Sequence, residues 1–170
     1  IDDPWNCASS IVREFVNGTI PATACAQRIP ALRLVDTFPR SRSEVAPASL
    51  ASGNATKQGL RDAANALDAA ADAWARVRQF DSTAGAGLRG GRFSARSGAG
   101  TSRILLERVR WTADYPVSGS ITWDRSSGSV VAELRAADLR ATASWNALRN
   151  SQATIEIRGV RPARLTAPAP

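Results

Sequence analysis

The residues whose types and spacing could do chemistry in this chain are few, and they are scattered along it. Gly85-Ala-Gly87-Leu-Arg-Gly90 satisfies the Gly-x-Gly-x-x-Gly pattern. That pattern holds a pyrophosphate only when a strand precedes it and its last glycine opens a helix. Here a helical pattern precedes and an alternating pattern follows, so a flexible helix-to-strand junction is the better expectation, its glycines permitting positive φ or a bulge. Cys7 and Cys25 are the only cysteines. Trp111, Trp123 and Trp145 fall on alternating segments where three indoles could stack on sugar rings, form a docking surface or simply fill a core.

Other reactive groups find no company. The chain has no histidine, so a serine nucleophile would have only Lys57 as base, in a segment poorly suited to depressing a lysine pKa. Metal sites need clustered His, Cys, Asp or Glu. The closest acids, Asp2 and Asp3, sit at a terminus, so no metal and no cofactor is expected. Glu107, Asp114, Asp124 and Glu133 fall on sheet positions or turns, with nothing in their spacing to pair them for acid–base work. No catalytic residue is assigned.

The elements that must position these residues are legible from periodicity. Asn6 can cap a helix that Gly18 ends, and Ala8, Ile11, Val12 and Phe15 form one apolar stripe on it. Ile11, Val12 and Phe15 are therefore a candidate interaction surface. Ten residues of helix advance about 15 Å, and the chain from Gly18 to Cys25 can return about 23 Å if extended. A Cys7–Cys25 disulfide is thus reachable and would stabilise by roughly 3 kcal/mol; a reduced pair is also compatible with the spacing. Residues 26–57, punctuated by Pro30, Pro39 and Pro47, read as a strap or linker. Asn17-Gly-Thr19 and Asn54-Ala-Thr56 match glycosylation sequons and are treated as coincidental in a chain of bacterial composition.

From residue 58 the pattern strengthens. Leu60, Ala64, Leu67, Ala71 and Trp74 give a helical stripe over 58–80. The period then changes to two at Gly91, Phe93, Ala95; Leu105, Val109, Trp111; Val117 to Trp123; Val130 to Leu134; Leu139 to Trp145; and Ala153 to Ile157. The expected fold class is α+β: a disulfide-clasped N-terminal helix over 1–25, a long strap over 26–57, then one amphipathic helix packed on an antiparallel meander of about six strands over 58–165, with a tail at 166–170.

Composition bounds the partners. The net charge is +7, which first suggests nucleic acid. Lys57 is the single lysine among the 22 basic residues, a skew that points to coding bias, and the arginines are spread along the sequence. A solvated surface is expected over a nucleic-acid face. No apolar run approaches the roughly 20 residues of a membrane helix. The chain begins at Ile1 and contains no methionine, which predicts that an upstream segment has been removed. A cysteine pair fits an oxidising, extracytoplasmic setting.

One resemblance adds to this reading. Asn6-Cys7, Gly18-Thr-Ile-Pro21, Cys25, Thr37-Phe-Pro-Arg40 and Ala46-Pro47 together resemble the tail of secreted bacterial α/β-hydrolases of the tripeptidyl-aminopeptidase-like (TAP-like) group over about residues 1–47. Gly87-Leu-Arg-Gly-Gly91 is similar to a motif in longer members. The resemblance implies that residues 1–25 supply the last helix of a hydrolase body and a disulfide-tied exit loop. It also implies an upstream catalytic domain or chain as partner, and a parent reaction of serine-dependent peptide or ester hydrolysis. This chain holds neither a Gly-x-Ser-x-Gly elbow nor a histidine, so the implied nucleophile, acid and base lie outside it. The alternative reading is an autonomous extracytoplasmic binding module using the tryptophan-bearing sheet face.

Overall fold

The computed structural model describes residues 7–19, 38–149, 152–158 and 162–170. The chain divides into two compact units, Ile1–Phe38 and Pro39–Pro170.

In the first unit, α1 spans Cys7–Val16. It ends as expected at a glycine: Gly18 takes φ 72°, and the Gly18 and Thr19 N–H groups donate to the Phe15 and Glu14 carbonyls. Val12, Phe15 and Val16 are exposed, at 61%, 74% and 75%, while Ile11 is half-buried. Cys25 and the side chain of Cys7 fall outside the described residues, and with them the expected Cys7–Cys25 clasp.

The second unit corrects the expected six-strand meander. It is one nine-stranded antiparallel sheet with a single long helix. The strands are β1 (Ser49–Gly53), β2 (Ala84–Ala86), β3 (Arg92–Ser97), β4 (Thr101–Arg110), β5 (Pro116–Asp124), β6 (Ser129–Ala136), β7 (Leu139–Asn146), β8 (Gln152–Arg158) and β9 (Ala163–Pro168), with α2 (Lys57–Phe80) between β1 and β2. Neighbours follow the chain from β2 to β9, and β1 then pairs with β9, so the sheet order is β1-β9-β8-β7-β6-β5-β4-β3-β2. Residues read as strap and tail are thus sheet: Ser49 opposes Thr166 and Gly53 opposes Ala163.

The three added strands carry weak sequence signals for physical reasons. β1 is Ser-Leu-Ala-Ser-Gly, exposed at every position, so no alternation marks it. β2 is Ala-Gly-Ala, small residues of low strand propensity. β9 does alternate, with Ala163 and Leu165 buried and Arg164 exposed, but Pro162 and Pro168 crowd its ends.

The segment before β1 is latched down. The Ala113 N–H donates to the Arg40 carbonyl at 2.9 Å, and the Arg42 N–H donates to Asp114 Oδ1 at 3.0 Å. The Arg42 guanidinium pairs with Asp62 at 3.8 Å and lies over the Tyr115 ring at 5.8 Å. Val45 and Ala48 are buried below it.

Helix α2 begins at Thr56, whose hydroxyl accepts from the Gly59 N–H at 3.1 Å. It ends at Asp81, in the left-handed conformation with φ 47°. Its apolar face packs on β4 through β8 and is wider than the expected stripe. Ala63, Ala66, Ala69, Ala70 and Ala73 are buried beside Ala64, Leu67, Trp74 and Val77. Alanine has no side chain beyond Cβ, so the helix axis can lie close to the strands. At 24 residues the helix advances about 36 Å, enough to run the length of the sheet. Asn65 anchors it near the β4–β5 turn, donating to Thr112 Oγ1 at 2.8 Å with both residues buried.

Strand β4 also corrects a register. Leu105, Val109 and Trp111 share parity and were expected on one face. A bulge between Leu106 and Val109, with Arg108 at φ 53°, adds a residue and inverts the alternation. Ile104, Leu106 and Val109 therefore face the core, Leu105 is 48% exposed, and Trp111 lies beyond the strand.

Candidate functional site

The tryptophan-bearing face is built by four consecutive strands in register. Ser102 opposes Trp123, Trp123 opposes Val130, and Val130 opposes Trp145, one row across β4 to β7. Period-two alternation puts all of these side chains on the face that α2 covers. Trp74 of the helix meets two of them edge to face: its ring centroid is 5.9 Å from that of Trp123 at 81°, and 5.6 Å from that of Trp145 at 85°. Such geometry matches indole quadrupoles and adds about 0.5–1.5 kcal/mol per pair beyond area burial. Trp74 and Trp145 are buried, Trp123 is half-buried, and Trp111 is half-buried against the same core. The face is filled by the chain's own helix, so Trp123 and Trp145 present no open stacking platform, and Trp111 lies beyond the end of β4.

Two arginines close the rim of this cluster. The Arg78 guanidinium lies 5.3 Å from the Trp74 ring centroid, and that of Arg125 lies 5.1 Å from the Trp123 centroid. Arg125 is held further: its Nε donates to Ser102 Oγ at 3.1 Å and its terminal nitrogen to Ser97 Oγ at 3.0 Å. The two serine hydroxyls are 3.0 Å apart. Arg125 lies in the turn between β5 and β6. The turn itself is set by Asp124 Oδ1, which accepts from the Ser126 N–H and hydroxyl and from the Ser127 N–H at 2.8, 2.6 and 3.1 Å. Those hydrogen bonds, led by the Ser126 hydroxyl, hold the Asp124 carboxyl below its ordinary pKa.

The glycine motif is structural. Gly85 and Gly87 lie in and just after β2, and Gly90 and Gly91 turn the chain into β3. The Arg89 N–H donates to the Arg110 carbonyl, and the Arg110 N–H donates to the Gly90 carbonyl, both at 3.0 Å. A Cβ on Gly87 would sit 2.7 Å from a Val109 methyl. One on Gly91, where φ is 75°, would sit 2.0 Å from the Arg108 carbonyl oxygen. The glycines are there so that a tight hairpin can press on the bulged strand. No helix opens at Gly90, and a pyrophosphate cradle of that kind is absent from the hairpin.

A second polar cluster surrounds Tyr115. Its phenol lies 3.4 Å from the Ala136 carbonyl, and burial first, with the Asp62 carboxylate second, pushes its pKa well above the ordinary value. Gln58 donates to Asp62 at 2.7 Å. These groups fasten the 40–48 segment to α2 and the β4–β5 turn. Among the described residues no group of three or more His, Cys, Asp or Glu is placed to hold a metal, and no helix is long and apolar enough to cross a membrane.

Comparison of the sequence with family models gives no match, nor does comparison with curated proteins or with solved structures.

Proposed function

We propose that this chain is a non-catalytic C-terminal portion of a secreted bacterial α/β-hydrolase, accessory to a catalytic domain that precedes it. One observation supports this most directly: α1 carries Val12 and Phe15 at 61% and 74% exposure on one side of a ten-residue helix. A soluble amphipathic helix with large apolar side chains in water is a surface awaiting a cover. The motifs around α1 resemble the segment that completes a TAP-like hydrolase body, which would be that cover. The serine nucleophile and its base would belong to the covering domain, since this chain has no histidine.

The second reading, an autonomous binding module, draws on a different observation. Residues Pro39–Pro170 form a compact unit that buries its own apolar face under α2. In this reading the binding surface lies elsewhere than the tryptophan row.

Both readings meet one experiment. The purified 170-residue chain should not turn over chromogenic peptides or short-chain esters. In native material an upstream catalytic domain should accompany the chain, covalently joined or as a separate polypeptide, and a separate one should be lost on substitution of Val12→Asp with Phe15→Asp. Turnover that survives repurification and disappears with a serine-directed inhibitor overturns the accessory reading. Native material that contains this chain alone hands the lead to the module.

A further inference from the structure

The arginines that look dispersed in the sequence are gathered by the sheet. Arg135 on β6 opposes Arg140 on β7, and Arg140 opposes Arg158 on β8. All three are exposed on the face away from α2. The row continues to Ser118 on β5, which opposes Arg135. Ser118 Oγ in turn accepts from the N–H of exposed Arg108 at the β4 bulge, at 3.0 Å. Like charges directly opposite on neighbouring strands repel and lower stability. Among the described residues, none of Arg108, Arg135, Arg140 and Arg158 forms an ion pair that would offset it.

The surrounding acids define the shape of the row. Glu107 is engaged by Arg92, and Asp138 sits in the β6–β7 turn. Glu133 and Glu156 flank one side only, each two residues along its strand from Arg135 and Arg158, in a row with Thr142 between them and Arg164 beyond. Two residues of strand are about 7 Å, and neighbouring strands are about 4.8 Å apart. The result is a narrow cationic line with carboxylates to one side, running across the strands for about 19 Å from β4 to β8.

That shape selects among polyanions. A bilayer of acidic headgroups, or a duplex, would press its charges onto Glu133 and Glu156 as well as onto the arginines. Single-stranded nucleic acid binds sheets through aromatic stacking platforms, and the tryptophans of this sheet lie on the other face, under α2. A folded protein partner needs apolar or aromatic anchors at the centre of its interface; the line itself is arginine and serine, and the exposed apolar residues of this face, Leu105 and Val131, lie one and two rows away from it. A single thread bearing anions and hydroxyls has none of these conflicts. We propose that the outer face of the sheet binds a linear acidic polysaccharide along the Arg108–Arg135–Arg140–Arg158 line. Guanidinium forks take its carboxylate or sulfate groups, and Ser118 and Thr142 are placed to meet its hydroxyls.

Heparin and polygalacturonate are the probes, with neutral dextran as control, titrated into the full chain at several salt concentrations. Binding to the two acidic polymers should weaken steeply as salt rises, and dextran should not bind. The triple variant Arg135→Thr, Arg140→Thr, Arg158→Thr should lose on the order of tenfold in affinity, three exposed ion pairs' worth. Arg76→Gln, Arg96→Thr, Arg149→Thr removes equal charge from α2, β3 and the β7–β8 turn, away from the line, and should bind as the unmodified chain does. Lysine at the three ladder positions should restore part of the loss. Because repulsion is relieved, the ladder triple should melt no earlier than the unmodified chain at low salt. Equal loss in both triples, absence of binding by the unmodified chain, earlier melting of the ladder triple, or tighter ladder-dependent binding to oligo-dT or anionic vesicles would each overturn the proposal.

Discussion

Helices α1 and α2 are written in the same language, apolar residues at helical spacing with polar residues elsewhere, yet they end in opposite environments. Trp74 on α2 is 2% exposed, and Phe15 on α1 is 74% exposed. The stripe alone does not decide this. Alanines let α2 settle on five strands of the sheet that follows it, whereas the described part of α1 leaves its largest side chains in water. An amphipathic pattern states that a face needs covering; it leaves open whether the cover is encoded in the same chain.

Substituting the two aromatic residues should separate the helices most sharply. Trp74→Ala removes a fully packed indole and its contacts with Trp123 and Trp145, and should cost about 3–5 kcal/mol in urea unfolding of the body. Phe15→Ala should change that same transition by less than about 0.5 kcal/mol, as surface substitutions do. A comparable loss from Phe15→Ala would break the comparison.

A smaller effect is expected just beyond α2, where the hairpin presses on the bulge. Gly91→Ala forces a side chain into the left-handed region and against the Arg108 carbonyl, which should cost on the order of 1–3 kcal/mol. Calorimetry showing an unchanged melting temperature would refute the close approach.

At the start of α2, Thr56→Ala removes the hydroxyl that caps the Gly59 N–H and should cost about 1 kcal/mol. The sequon reading of the same threonine predicts no such loss in unglycosylated protein, so thermal melting of bacterially expressed material distinguishes the roles.

The mildest effect is alkaline. Tyr115 is the chain's single tyrosine, and its phenol is pushed up by burial and by Asp62. A raised folded-state pKa means the stability it reports is intact below the unfolded value near 10 and declines as pH rises through and beyond it. Phenolate absorbance should therefore not appear near pH 10 while the body stays folded, and Tyr115→Phe should flatten the alkaline loss. A phenolate titrating at its ordinary value in folded protein would contradict the burial.

What was legible in the sequence follows from where the physics is local. The alternation of Val117 to Trp123, Val130 to Leu134 and Leu139 to Trp145, and the stripe ending at Trp74, are imposed by burial of one face and can be read directly. β1 and β2 are built of small or wholly exposed residues whose strand character comes from the neighbour they pair with, so nothing local marks them. The bulge at Arg108 is a non-local event that silently reverses Leu105 and Leu106. The arginine line is illegible for the same reason: Arg135 and Arg140 are close in sequence, but only strand register brings Arg158 beside them. Alternation put Trp123 and Trp145 on one face, where Trp74 packs against both, whereas the bulge and the end of β4 leave Trp111 outside that row.

The cluster of Trp74, Trp123 and Trp145 also gives the body an optical identity. Three indoles in contact, with ring planes crossed at 81° and 85°, do not absorb independently. Their transition dipoles couple, which splits the far-ultraviolet band into a circular-dichroism couplet of opposite lobes. Excitation of any member migrates among them before emission. Because the helix supplies one chromophore and the sheet the other two, the part of that couplet that involves Trp74 requires α2 to be seated, and its loss would time the moment helix and sheet part company.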